Sequence, residues 1–368
     1  MSTLRVEALE QPDGTAFVFN NKNLLINGGH NIWQRSTSAS VSSDTFSTVD
    51  RWRTGVNGMG VFTVSRSTDV PSAQGFGYSC KYDCTTADTS PAANDYIAHY
   101  QTIEGQNLQH LLKGTSSAKA VTVSFWVKSN KTGTYILDLF DNDNTRQISK
   151  AYTIDSASTW EKKTITFPGD TSGTLDNDNA QSMRLLWWMG AGSTYSSGTL
   201  NTSWASTTEA NRAVGVVNLA DSTSNEFYIT GCQLEVGSTA SGFEFEPYET
   251  VLRKCLRYFE RYDNNTVDDG GMPQGYCQVD VSNRPEIGLF YSRKRANPTI
   301  SGSSAVQFFH AANSNVTTTG GPNTFVGTGL YGANLFYTCS SGVTPNTLSG
   351  IGYVQLGSGD YINIDSEL

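Results

Sequence analysis

The apolar residues of one stretch, Asn225 to Asp263, change period partway along it, and this constrains the fold more than any other feature of the chain. Phe227, Ile229, Cys232, Leu234 and Val236 interleave with Tyr228, Thr230, Gln233 and Glu235, the alternation of a half-buried strand. The Thr230-Gly231 step breaks that alternation, and a glycine inside a strand pattern marks a bulge. Gly237 to Gly242 has turn composition, and Phe243 and Phe245 alternate with Glu244 and Glu246 as a short returning segment that Pro247 stops. Beyond Tyr248, Val251, Leu252, Cys255, Leu256 and Phe259 recur at spacings of three and four, which predicts an amphipathic helix. The last strand of one domain therefore feeds a helix that opens the next.

Upstream, strand patterns recur between Met59 and Leu219: Val61–Arg66, Gly77–Tyr82, Tyr96–Ile103, Ala120–Lys128, Thr134–Phe140, Gln147–Ile154, Trp160–Phe167, Met183–Met189 and Ala213–Leu219. In Ala120–Lys128, Val121, Val123, Phe125 and Val127 fall at every second position. Gly105–Lys113 reads as a short helical turn. Many short strands joined by Greek-key-length loops predict an all-β fold, a jelly-roll sandwich of the kind seen in carbohydrate-binding modules. Downstream of the helix, Gln274–Val281, Pro285–Tyr291, Thr299–Ser301, Val306–His310, Leu335–Thr338 and Gly350–Leu356 predict a smaller β-rich domain. The expected organisation is an arm over 1–22, a sandwich over 23–248, and the helix with the C-terminal domain over 249–368.

The arm reads as two short strands around Pro12-Asp13-Gly14, with Leu4, Val6, Leu9, Phe17 and Phe19 as their apolar residues. Two strands this small make no core of their own. They are expected to pair with another chain, or to fray. The formal charge of −9 argues against nucleic acid, which wants a basic footprint. No run of about 18 apolar residues and no charged-then-apolar leader is present, so neither a membrane span nor a secretory signal is expected. A hydrophobic share of 37% is low for a compact monomer of this length, which a homotrimer sharing core between chains would accommodate.

Three separated motifs carry a resemblance. Asn23-Leu24-Leu25-Ile26-Asn27-Gly28 leads to Trp33-Gln34-Arg35 and Asp50-Arg51-Trp52. Gln233-Leu234-Glu235, Gly237, Phe243-Glu244 and Pro247-Tyr248 form the second motif, and Glu249, Cys255 and Arg257-Tyr258-Phe259-Glu260 continue it. The third is Arg295-Ala296-Asn297-Pro298-Thr299. In this order they resemble virion structural proteins of tailed bacteriophages, above all tail-fibre and receptor-binding proteins. That family commonly has Met or Phe where His30 stands, Gly where Ser36 stands, and a basic residue where Glu246 precedes Pro247. The resemblance implies a non-enzymatic protein of the virion, assembled in the host cytoplasm. Its arm would dock to another virion protein, and its β-domains would meet a host-surface glycan or protein. A head fibre or decoration protein, and a glycan-degrading tail spike, are the alternatives.

The residues themselves show little catalytic pattern. His30, His99, His110 and His310 belong to no GxSxG or HExxH constellation. Glycoside hydrolysis needs two carboxylates, for which Asp138, Asp141, Asp143, Asp176 and Asp178 are placed only by sequence. Asp141 to Asn144 and Asp176 to Asn179 are two copies of DNDN, whose oxygens suit a hard cation such as Ca²⁺ and equally suit Asx turns closing hairpins. No other cofactor is expected. Cys80 and Cys84 have a metal-like spacing without a partner pair, and Cys232 and Cys255 fall on apolar faces, so the cysteines read as reduced and structural. Ligand-reading aromatics are expected at Trp187 or Trp188, which a strand would point to opposite faces, at Tyr195 and Trp204 in a Gly/Ser/Thr-rich loop, and at Tyr331 and Tyr337.

Overall fold

The computed structural model describes residues 22–263, 275–279, 285–303, 307–310, 314–317, 319–324, 328–338, 348–356 and 359–368. The chain forms two compact units. The first comprises residues up to Asn31, Ser38–Ser47 and Trp52–Pro247; the second comprises Ile32–Thr37, Thr48–Arg51 and Tyr248–Leu368. The sequence reading drew one cut near 248 and did not foresee that the Trp33-Gln34-Arg35 and Asp50-Arg51 motifs belong with the C-terminal unit. The arm residues Leu4, Val6, Leu9, Phe17 and Phe19 lie outside the described residues.

The first unit is a jelly-roll sandwich of antiparallel strands: β1 (Ser38–Thr45), β2 (Arg53–Ser67), β3 (Ser79–Thr86), β4 (Tyr96–Glu104), β5 (Val121–Ser129), β6 (Gly133–Asp141), β7 (Arg146–Ile154), β8 (Glu161–Phe167), β9 (Gln181–Ala191), the two-residue β10 (Ala205–Ser206) and β11 (Glu226–Val236). They are hydrogen-bonded in the order β10-β7-β6-β9-β4-β2-β3-β11-β5-β8, with β1 along β2. This strip doubles over at β2. Arg53–Gly58 pairs with β4 and Val61–Ser67 pairs with β3. The bend lies at Gly58 and Gly60, both at positive φ (64° and 70°). A Cβ on Gly60 would come within 2.4 Å of the Thr86 carbonyl.

The folded strip faces itself across aromatic rings. Phe125 of β5 meets Trp187 of β9 at 5.5 Å and Tyr152 of β7 at 5.1 Å, and Tyr135 of β6 meets Phe227 of β11 at 5.5 Å. The alternation in β5 thus does what its sequence implied, sending Val121, Val123, Phe125 and Val127 inward. Gly231 forms the expected bulge, at φ 63° with a register shift between Thr230 and Gln233. Four of the six cysteines, Cys80, Cys84, Cys232 and Cys255, are described, and all are buried free thiols.

The first motif and Gln233 to Glu244 form one seam of this unit. Leu24 donates to the Leu234 carbonyl at 2.8 Å, and Cys232 donates to the Gly28 carbonyl at 2.9 Å. Asn23 Oδ1 accepts from the backbone of both Leu25 and Leu234, and Glu244 accepts from Asn23. Gln233 and Glu235 hold the turn at Ser241 and Gly242. Phe243 and Phe245 form no strand; with Phe76 they make an aromatic triplet. The short helical turn expected over Gly105–Lys113 is present as two 3-10 turns, Gly105–Asn107 and Gln109–Leu111. Ser-rich β1 gave no apolar alternation to read, and one further strand expectation is corrected. Ala213–Leu219 is loop, because Gly215 sits at φ 86° and the run lays Ala213 on the sheet rather than pairing in it.

The C-terminal segment of the second unit opens with α2 (Tyr248–Leu256), numbered after the single turn α1 (Ser193–Ser196) of the first. Val251 and Cys255 are its buried face, as their spacing implied. Phe259 instead begins β12 (Phe259–Asp263), which pairs with β21 (Tyr361–Asp365), itself paired to β15 (Thr299–Gly302). A seven-stranded sheet runs in the order β17 (Ser314–Thr317), β16 (Gln307–His310), β20 (Leu348–Gln355), β13 (Gly275–Val279), β14 (Pro285–Phe290), β19 (Gly332–Thr338) and β18 (Gly320–Thr324). Neither its β17 nor its β18 is among the strands expected from the sequence. Leu289, Leu335, Tyr337, Ile362 and Ile364 lead the core.

The remaining motif residues make this unit's seam. Asp50 accepts from the backbone and side-chain amides of Gln34, whose amide also donates to the Phe259 carbonyl. Arg35 lies 3.6 Å over the Phe259 ring and Arg51 lies 3.4 Å over Tyr258. Arg51 also pairs with Glu367, and Lys294 with Glu260 at 2.8 Å. Arg295 donates to the carbonyls of Ser366 and Glu367. Asp50 and Arg51 are therefore framework: two adjacent residues with separate structural partners.

Candidate functional site

A half-open recess at one end of the sandwich has Trp204 as its wall. The indole is half-buried, and its Nε1–H donates to the Pro168 carbonyl at 2.8 Å, which fixes the ring plane. Leu111, Val121, Leu139 and Met183 form an apolar floor, and exposed Lys119 stands at the rim. The enclosed space is small, about 10 Å³, room for about one water. Pockets that enclose a drug-sized ligand run to roughly 300–1,000 Å³, so the indole offers a shallow face for stacking and not an enclosing pocket.

Beneath the indole lies a buried charge network. Lys113 Nζ, 5.3 Å from the Trp204 ring, bonds Asp141 at 2.5 Å and pairs with Asp170 at 3.0 Å. It also donates to the carbonyls of Ser172 and Gly173. Arg146 makes a bidentate pair with Asp170, at 2.7 and 2.9 Å. Burial alone would raise the Asp170 pKa, but the bonds from Arg146 and Lys113 outweigh it and hold the carboxyl below its usual range.

The two DNDN segments meet beside this network. Asp176 donates its backbone N–H to Asp143 at 2.9 Å, and Asn144 donates to Asp141 and to the Thr174 carbonyl. Asp178 closes its own turn by accepting from Ala180. The Lys113 ammonium sits against Asp141, where a bound cation would need that carboxylate. Among the described residues no group of three or more His, Cys, Asp or Glu converges as a metal site.

The other nominated aromatics divide. Trp187 is core and Trp188, pointing the opposite way, is also buried, so neither offers a free ring. The sequence reading missed that residues 192–217 fold back over the outer face of β6, β9 and β4. There Tyr195, half-buried, packs at 5.3 Å on Trp188, and Arg212 makes a buried pair with Asp138 at 2.7 Å. Tyr337 is core of the second unit, whereas Tyr331 there is 59% exposed. Phe290, unforeseen, is 72% exposed, and lies across from Gly332, the residue after Tyr331.

Sequence reasoning also missed a row on the outer face of the other sheet. Lys128 Nζ lies 5.6 Å from the Trp160 ring and 4.3 Å from Tyr228, and Lys81 lies 5.5 Å from Tyr228 on the next strand. Asp69 accepts from Trp160 and pairs with Lys128, and Glu226 pairs with Lys81. The inward Val-Phe-Val register of β5 was the available signal, because it sends Trp126 and Lys128 outward.

No protein-family model matches the chain, and a search of curated proteins finds no match. Among solved structures, the chain is similar to the enzymatically active domain of bacteriophage CBA120 tailspike protein 4, at 15% identity and TM-score 0.31. That match covers 58% of this chain and only 21% of the tailspike chain. It is similar to TmCBM61 in complex with β-1,4-galactotriose at 11% identity and TM-score 0.31, covering 59% of this chain and 99% of the other. It is also similar to the family 11 carbohydrate-binding module of the Clostridium thermocellum cellulase Lic26A-Cel5E, at 16% identity and TM-score 0.28, over 55% and 97% of the two chains. Likenesses this loose carry no function across.

Proposed function

We propose that this chain is a non-enzymatic virion protein of a tailed phage, of the tail-fibre or receptor-binding type, that contacts a host-surface glycan through the Trp204 recess. The observation that carries the reading is the fixed, half-exposed indole over an apolar floor, with a cation at the rim. Sugar rings stack on such a face through their C–H groups, while rim polar atoms meet the hydroxyls. The phage-type motifs support the virion assignment in a specific way: they build the two seams, so what such proteins would share is architecture, and the ligand-reading residues lie elsewhere.

A non-enzymatic role is supported by how Asp138, Asp141 and Asp170 are engaged. Asp141 is held by Lys113, Asp170 by Lys113 and Arg146, and Asp138 by Arg212. A glycosidase pair needs one carboxyl free to give a proton and the other free to attack or to activate water. The arm would supply attachment to the virion, and three chains would assemble together. The test is binding of labelled protein to host cells, with Trp204→Ala as the comparison. Loss of binding by a variant with unchanged thermal unfolding supports the reading; equal binding refutes the assignment to this recess. Release of reducing sugar from host glycan would favour the enzymatic alternative.

A further inference from the structure

Two half-buried indoles, Trp126 and Trp160, stand on the outer face of β5 and β8. The Trp204 recess takes the inward Val121 of the same strand, so the two places lie on opposite sides of β5. Lys128, two residues beyond Trp126, shares its face roughly 7 Å along the strand. Trp160, just before β8, has its ring 5.6 Å from Lys128 Nζ and packs edge-on at 6.2 Å against Tyr228. Its N–H donates to Asp69 at 2.9 Å, which fixes the ring plane as Pro168 fixes that of Trp204. The Trp126 N–H is not buried and makes no hydrogen bond among the described residues. Exposed Lys162 lies across from Trp126 on β8, the last strand of the order, so the indoles stand at the margin of the sheet. Asp69 pairs with Lys128, so their charges cancel, yet its carboxylate is 45% exposed and keeps lone pairs to offer.

We propose that Trp126 and Trp160 form a second saccharide-binding face, separate from the Trp204 recess, for a neutral extended glycan. The two ring faces take the C–H faces of sugar units, the Trp126 N–H and Lys162 donate to hydroxyls, and Asp69 accepts from them. The composition argues against a protein partner. Charged residues are depleted at the core of a protein interface, and here Lys128 and Asp69 stand beside the rings rather than at a rim. The Trp160 ring is held before the ligand arrives, so little side-chain entropy remains to be lost. This inference rests on the glycan-binding reading and adds a second point of contact to it, so a polysaccharide that reaches both gains avidity.

The test presents the full chain to an array of neutral and acidic bacterial polysaccharides at low and high salt, with thermal unfolding of every variant checked. The wild type is expected to bind a neutral polysaccharide with little dependence on salt. Trp126→Thr, a substitution suited to a strand surface, should weaken that binding about tenfold or more, and Trp126→Phe, which keeps a ring, should retain most of it. Trp204→Ala should leave residual binding that adding Trp126→Thr removes. Neutral binding unchanged by Trp126→Thr, or abolished by Trp204→Ala alone, overturns this inference and leaves the recess reading standing. Binding confined to acidic polysaccharides and lost in high salt overturns the neutral assignment. Folded protein that binds no polysaccharide overturns both readings.

Discussion

The first unit should lose stability in acid through two buried imidazoles. His30 Nε2 and His99 Nε2 are 3.2 Å apart, His99 Nδ1 meets the Tyr82 hydroxyl at 2.7 Å, and Trp52 stacks on His99 at 4.4 Å. Burial pushes His30 from 6.5 down to about 3, and burial with the neighbouring His30 lowers His99 in the same direction. Both rings therefore stay neutral in the fold while the unfolded chain takes up protons below about pH 6.5. The stability they allow is complete above that pH and falls as pH drops toward 3. For His30 alone the loss between pH 8 and pH 5 is about 2 kcal/mol, a fall of roughly 4–8 °C in Tm for a unit of this size. His99 adds to it. His30 sits at φ 52°, a conformation Asn also tolerates, so His30→Asn is the variant to make. Urea unfolding followed by tryptophan fluorescence at a series of pH values should show the variant losing about 2 kcal/mol less than wild type over that range. Parallel curves would refute the reasoning, whatever the offset between them.

In the second unit the sign reverses. Burial pushes Asp50 up to about 6 against the opposing pull of Arg35 and Gln34. The folded form holds its proton more tightly, so Asp50 contributes stability in full below about 3.8 that is lost as pH rises through 6, about 3 kcal/mol in all. Scanning calorimetry at pH 4.5 and pH 8 should show Asp50→Asn without that acid-side gain. Lys113→Met leaves Asp141 buried without its cation and should cost about 3–5 kcal/mol in urea unfolding. Gly28→Ala forces a Cβ to within 2.0 Å of the Cys232 carbonyl and should cost of the order of 2–4 kcal/mol, whereas Gly242→Ala meets nothing within 4 Å and should stay within about 0.5 kcal/mol of wild type.

What the sequence made legible followed local periodicity. The alternation of β5 and the three-and-four spacing of α2 each reflect one face against one core, and both are where they were expected. The bulge at Gly231 was readable for the same reason. What stayed hidden depended on contacts distant in sequence. Trp188 has the pattern of an outward ring, and only the return of residues 192–217 buries it. Asp141 reads as a cation ligand until Lys113, far earlier in the chain, is found against it. Trp204 was legible as a loop aromatic, but its fixed orientation depends on Pro168 and could not be seen from its own neighbourhood.

Adsorption interference tests the central claim most directly. Labelled, well-folded protein of known oligomeric state is mixed with host cells before phage is added. The account predicts that it coats the cells and blocks adsorption, and that Trp204→Ala weakens both by about tenfold or more. Folded protein that neither binds nor blocks would contradict it and leave a virion fibre with a structural role.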